Sequence, residues 1–200
     1  LNITRPLLVT DSGLATHEMV TSLLDSNRQA GFPIELFSNV KPNPTKNNVE
    51  DGVNAYHRGC HDGVIAMGGG SALDAGKAIA LMAGQHNSLW DFEDVGDNWR
   101  QANTAGIAPV IAIPTTSGTG SEVGRASVIV HEQSHRKAII FHPRMLPARV
   151  LCGTATAAPP ARVAVDPKRG VRIGEASHPG PYVTRSLRFS LNYLLPFLQT

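Results

Sequence analysis

Short runs of consecutive apolar residues alternate along this chain with longer stretches in which apolar positions return every three or four residues. Pro6 to Thr10, Pro33 to Phe37, Gly63 to Met67 and Ile107 to Ile113 are such runs, each bounded by turn-forming residues, and they predict strands. Leu14 to Ala30 predicts a helix, with Met19, Val20, Leu23 and Leu24 on one face and Gly31 as its stop. After the turn Lys41-Pro42-Asn43-Pro44-Thr45, a polar helix extends to about Arg58. The helix following Ser71 carries Ala, Leu, Ile and Met nearly all round, which implies burial between a sheet and another layer. Continuous apolar strands separated by helices indicate a parallel sheet covered on both faces. The fold class expected is α/β.

The segment Val64-Ile-Ala-Met-Gly-Gly-Gly-Ser-Ala-Leu-Asp-Ala-Gly-Lys77 takes an apolar strand through Gly68, Gly69, Gly70 and Ser71 into a helix. Residues without a Cβ let the backbone press against an anion, and the free N–H groups and positive dipole end of the helix favour negative charge there. The ligand expected is a nucleotide or another phosphate. A P-loop is excluded by spacing, since Ser71 stands where its first glycine belongs and Ala78 where its magnesium-binding hydroxyl belongs. The common Gly-x-Gly-x-x-Gly fingerprint also fails, because Leu73 takes the third glycine position counted from Gly68. A plain strand-to-helix turn is the competing reading.

A second informative stretch begins where the Ile107 to Ile113 run ends: Pro114-Thr115-Thr116-Ser117-Gly118-Thr119-Gly120-Ser121-Glu122-Val123. In open α/β sheets ligands sit beyond the carboxyl ends of the strands, so this hydroxyl-rich turn is expected to face the same crevice as Gly68 to Ser71. Its hydroxyls and glycines suit ribose and phosphate oxygens.

Composition narrows the class further. Of 200 residues, 42% are hydrophobic and 17% charged, ordinary for a globular protein and remote from the disordered class. A net charge of +2 argues against a nucleic-acid partner, and no apolar run reaches the roughly 18 residues of a membrane span. Cys60 and Cys152 form no Cys-x-x-Cys pair, so neither a disulfide framework nor a cysteine zinc site is expected. The cytoplasm is the expected location. Because the chain starts at Leu1 it reads as a fragment, which leaves an organellar targeting segment open. A homo-oligomer is also left open.

Several motifs together carry a family resemblance: the Thr10-Asp11 strand end, Pro42-Asn43-Pro44-Thr45, Gly68-Gly69-Gly70-Ser71-x-x-Asp74-x-x-Lys77, Ile113 to Val123, and Lys137 ahead of Pro143. In order and spacing, residues 5 to 152 resemble the iron-containing (group III) alcohol dehydrogenases, relatives of glycerol dehydrogenase and dehydroquinate synthase. The resemblance implies a Rossmann-like parallel sheet with helices on both faces, of the dehydroquinate synthase N-terminal type. It also implies NAD-dependent interconversion of an alcohol with an aldehyde or ketone, assisted by iron or zinc. By position, Asp11 would accept from the adenosine ribose hydroxyls and repel the extra phosphate of NADP. A turn or helix-capping aspartate is its competing reading. Asn43 would lie near the adenine pocket, Gly69, Gly70 and Ser71 would hold the pyrophosphate, and Asp74 would order that loop. Thr115, Thr116 and Thr119 would line the adenine and phosphate path, and Lys137 would reach the nicotinamide ribose, although it also suits a surface strand. Lys77 is expected to be a solvated helix lysine.

Two histidine patterns remain. His131-Glu132-Gln133-Ser134-His135 has the spacing of a zinc-protease site, but that chemistry needs a helix, and two β-prone runs flank the motif. The extended form fails too, with Ala138 in its glycine position and Phe141 in place of its third histidine. His57 and His61 are expected to be solvated polar residues near a helix end.

The resemblance ends after Cys152. The family's metal is held by an Asp, a His four residues later and two further His in a helical C-terminal domain. Here Gly153-Thr154-Ala155 replaces the Asp-Pro expected next, only His178 follows, and Asp166 is succeeded four places on by Gly170. That domain and its ligands are expected to be absent. Two regions follow: 1–152, an NAD-binding domain truncated at its start, and 153–200, an Ala/Pro/Arg-rich tail without helical or strand period before Leu187. This change of texture is expected of a frameshift, a splice error, a fusion or disorder, and Ser186 to Leu198 is too short to span a membrane.

Overall fold

The computed structural model describes residues 1–32 and 34–152, together with the backbone of two strands in the tail. Five strands form one parallel sheet in the order β2-β1-β3-β4-β7: β1 Pro6–Asp11, β2 Glu35–Val40, β3 Gly63–Gly68, β4 Val110–Pro114 and β7 Arg149–Val150. Helices α1 Glu18–Gln29, α2 Lys46–Arg58 and α3 Gly70–Met82 follow β1, β2 and β3 respectively. The α/β class and the parallel sheet are as expected.

The continuous apolar strands are buried on both faces, as such strands must be when helices cover both sides. Leu7, Val9, Val64, Ala66, Val110 and Ala112 point to the side of α2 and α3, where they pack with Val49, Leu73 and Ile79. Alternate residues Leu8, Ile65, Met67, Ile111 and Ile113 point to the other side and pack with Val20 and Leu23 of α1. Within α3 every residue from Ala75 to Leu81 is buried, so its all-round apolar surface is used. The helix lies very close to the sheet at one point. A Cβ on Gly76 would come 2.6 Å from Ala66 Cβ.

Three boundaries differ from expectation, each for a local reason. Helix α1 begins at Glu18 rather than Leu14, because Asp11 Oδ1 accepts the N–H groups of Gly13 and Leu14 and holds that stretch as a turn. His17 then caps the helix, its Nδ1 accepting from Met19 N–H. Strand β2 runs Glu35–Val40, placed by pairing with β1, and Pro33 lies outside the described residues. Strand β4 begins only at Val110, since a 3-10 turn at Thr104–Gly106 precedes it.

An antiparallel hairpin of β5 Ala126–Val130 and β6 Lys137–Phe141 stands apart from the main sheet and packs on α3. The turn between its strands carries His131 to His135, so the protease-like spacing is not helical, as expected. His61, by contrast, is buried rather than solvated: its ring Nδ1 lies 2.9 Å from the carbonyl oxygen of Arg5. In the tail, β8 Arg162–Asp166 and β9 Gly170–Gly174 pair antiparallel as a separate sheet. A strand period therefore does exist before Leu187, in the alternating Val163, Val165 and Val171, Ile173. Ser186 to Leu198 and His178 lie outside the described residues.

Candidate dinucleotide crevice

The crevice is built where β1, β3 and β4 end on the same edge of the sheet. Gly68 closes β3 with φ +143°, a region that L side chains rarely adopt. A Cβ there would meet Ala72 Cβ at 2.7 Å and Asp11 Oδ2 at 3.3 Å. Gly69 then caps α3 without any side-chain hydrogen bond, and no acidic residue occupies the first turn. The leading N–H groups of this 13-residue helix are thus free of competing protein acceptors on side chains, as an anion cradle requires.

The second turn packs directly on the first. Thr115, buried, donates its N–H to Gly68 O at 2.9 Å. A Cβ on Gly69 would approach Thr116 Oγ1 to 3.3 Å, and one on Gly70 would approach Thr119 Cγ2 to 3.1 Å. Asn43, at φ +55°, donates its N–H to Ser71 Oγ at 3.2 Å. Asp11, Asn43, Gly69, Gly70, Ser71, Thr115, Thr116 and Thr119 therefore meet at one edge. Asp11 fills its turn reading, Oδ1 accepting from Gly13 and Leu14, while Oδ2 is turned toward Gly68 and accepts no hydrogen bond among the described residues.

Asp74 and Lys77 are placed differently from expectation. Asp74 orders the second turn rather than the glycine turn: its Oδ1 accepts from Ser121 Oγ at 2.6 Å, its Oδ2 from Val128 N–H at 2.9 Å, and its carbonyl from Ser127 Oγ at 2.8 Å. Lys77 is only 1% exposed. Its ammonium donates to the carbonyls of Ser121 and Ala126 and lies 3.2 Å from Asp74 Oδ1. Burial pushes its pKa below the ordinary lysine range, against the opposing pull of Asp74 and Glu122. The sequence signal for this was a lysine inside an otherwise apolar helix, three residues after an aspartate. Buried Glu122 was missed as well; its Oε2 lies 3.5 Å from Thr119 Oγ1.

Lys137 is not joined to this cluster by any hydrogen bond among the described residues. It is exposed on β6 opposite Val130, whose N–H donates to Pro44 O and which bridges Thr45, so it stands one strand away from the Asn43 turn. Among the described residues no three His, Cys, Asp or Glu side chains group so as to hold a metal ion. The described residues therefore offer no donor set that fits an iron or zinc ion. No described helix is long and apolar enough to cross a membrane.

Known proteins resemble this chain in sequence and fold. Choline dehydrogenase of Bacillus subtilis is 36% identical over 137 residues, covering 68% of this chain and 34% of the relative. The crystal structure of a 1,3-propanediol oxidoreductase superposes with TM-score 0.68 at 33% identity, covering 75% of this chain and 38% of that one. That of sulfoacetaldehyde reductase from Bifidobacterium kashiwanohense in complex with NAD+ does so with TM-score 0.66 at 28% identity, covering 75% and 38%. The chain spans about a third to two fifths of the length of the curated relatives it matches. The sequence profile named iron-containing alcohol dehydrogenase matches residues 1–154, and with the shared fold this settles the lineage: the chain belongs to the iron-containing alcohol dehydrogenase family.

Proposed function

We propose that residues 1–152 are the NAD-binding domain of an alcohol dehydrogenase acting on small alcohols and aldehydes, and that residues 153–200 are a distinct region. The observation that carries this reading is the glycine turn at the bare N-terminus of α3, pressed against Thr116 and Thr119 and flanked by Asp11. The cradle fits a pyrophosphate, because the backbone there is stripped of Cβ atoms where a phosphate must approach. Ser71 would donate its hydroxyl proton to a phosphate oxygen while its Oγ accepts from Asn43. Asp11 Oδ2 would accept from a ribose hydroxyl, and its charge disfavours a 2′-phosphate. Lys137, exposed on the hairpin, would reach toward the nicotinamide ribose. Bound NAD supplies the acceptor for the hydride leaving the alcohol carbon.

A second reading is favoured by the donor set. With no metal-holding group among the described residues, this chain would be a nucleotide-binding domain without turnover of its own. Titration of the chain with NADH and NADPH, followed by nucleotide fluorescence, tests the shared premise. Binding of NADH in preference to NADPH is expected, and failure to bind NADH would remove the cofactor reading. Production of NADH from ethanol or 1,2-propanediol with ferrous iron would overturn the second reading and leave the first.

A further inference from the structure

Lys77 is among the largest fully buried side chains of the described residues, and a buried ammonium is costly unless every proton finds a partner. Its partners are chosen from one place. The carbonyls of Ser121 and Ala126 bracket residues 122–125, the stretch that follows the threonine turn. On the same helix Asp74 takes Ser121 Oγ and Val128 N–H. Residues 116–120, between Thr115 and Ser121, are exposed, and two of them, Gly118 at φ +98° and Gly120 at φ +68°, have open space where a Cβ would be. This turn is suspended between two anchors. One is the Thr115 N–H on Gly68 O, and the other is the clasp made by Asp74 and Lys77.

Resting on the cofactor reading given above, we infer that Lys77 is a positioning residue for the cofactor site, its buried ammonium holding the Ser121 end of the threonine turn so that Thr116 and Thr119 face Gly69 and Gly70. It touches no ligand itself and acts through Ser121 and Ala126. Deprotonation removes the charge from these contacts and weakens the clasp. The groups facing the ammonium are Asp74 on α3 and Glu122 on the turn; Cys152, beyond β7, has its thiol pushed up by burial and, second, by Glu122, and Arg125 is exposed. Because burial lowers the lysine's pKa, release of the clasp falls at a lower pH than for a free lysine.

The test uses the whole chain. NADH affinity is measured by fluorescence from about pH 7 to about pH 10.5 in the wild type and in Lys77→Met, with melting temperature and tryptic cleavage after Arg125 followed alongside. The expected wild-type affinity falls on the alkaline side. Lys77→Met should bind NADH about tenfold more weakly at neutral pH, show a flat pH profile and be cut faster after Arg125. A folded Lys77→Met with wild-type affinity and wild-type cleavage overturns the inference and spares the cofactor reading. If the wild type binds no NADH, the cofactor reading fails instead. Cleavage after Arg125 then decides the clasp: faster cleavage at unchanged melting supports it, and unchanged cleavage ends it. Should Lys77→Met fail to fold, the wild-type pH profile and Asp74→Asn decide: a flat profile with unaltered Asp74→Asn affinity overturns the inference.

Discussion

Asn43 donates its backbone N–H to Ser71 Oγ at 3.2 Å, across 28 positions of sequence. The turn after β2 is thereby fastened to the first turn of the helix that carries the glycine cradle. Because the hydroxyl oxygen is the acceptor, the hydroxyl proton stays free to be given outward. Ser71 thus ties the Asn43 turn to α3 and keeps a donor for the phosphate proposed above.

Replacing Ser71 by Ala should remove both bonds while leaving the glycine turn intact. A hydrogen bond to a charged group is worth about 1.5–3 kcal/mol, so the NADH dissociation constant should rise by about ten- to a hundredfold. Fluorescence titration measures it. An unchanged constant would place the phosphate elsewhere.

Asp11 offers one oxygen to the turn and holds the other beside Gly68. Asp11→Ala should narrow the preference for NADH over NADPH, since the charge that repels a 2′-phosphate is gone. The ratio of the two dissociation constants is the quantity to follow, because loss of the turn bonds weakens both ligands alike.

Gly76 is a point of close approach between α3 and β3. Gly76→Ala gains about 1 kcal/mol of helix propensity but sets a Cβ at 2.6 Å from Ala66 Cβ, an overpacking that costs about 1–3 kcal/mol. Destabilisation should win, and the melting temperature should fall by a few degrees. Pairing it with Ala66→Gly should recover part of the loss. A stability that rises in the single variant would show that the helix can back away from the sheet.

His142, 2% exposed, caps the 3-10 turn at Pro143–Met145, its Nδ1 accepting from Arg144 N–H at 3.0 Å. Burial, aided by the Arg144 charge, holds its pKa below the usual 6.5. The folded state therefore binds fewer protons than the unfolded state just below that pH, so stability should fall as pH drops through about 6.5 toward the lower folded value. Thermal melts between about pH 8 and pH 5 read this slope. His142→Asn, which can cap without titrating, should flatten it.

Much of this is legible in the sequence. An apolar run, three glycines and a helix that is apolar all round could only be β3, its turn and a buried α3. The hydroxyl-rich turn after β4 followed from the same rule of strand ends. For Lys77 the only local signal was its place in an apolar helix three residues after Asp74; its carbonyl partners, 44 and 49 positions ahead, leave no local pattern. The start of α1 was missed for a different reason. Leu14 continues the helical period, but the carboxylate of Asp11 takes the N–H groups that a helix would leave free. His61 sits near a helix end, where solvation is the rule, but Arg5, which returns to place its carbonyl on Nδ1, helps to bury it, as do Tyr56 and Gly59.

The bond from Val130 N–H to Pro44 O, 2.8 Å long, closes a ring. From α3 the connection runs through Asp74 to Val128, along β5 to Val130, across to Pro44, and from Asn43 back to Ser71 on α3. Such a belt has one circumference. A substitution that lengthens any link must be taken up by the other two, so tolerated changes at Ser71, Asp74 and the Asn43 turn should arise as matched sets rather than singly.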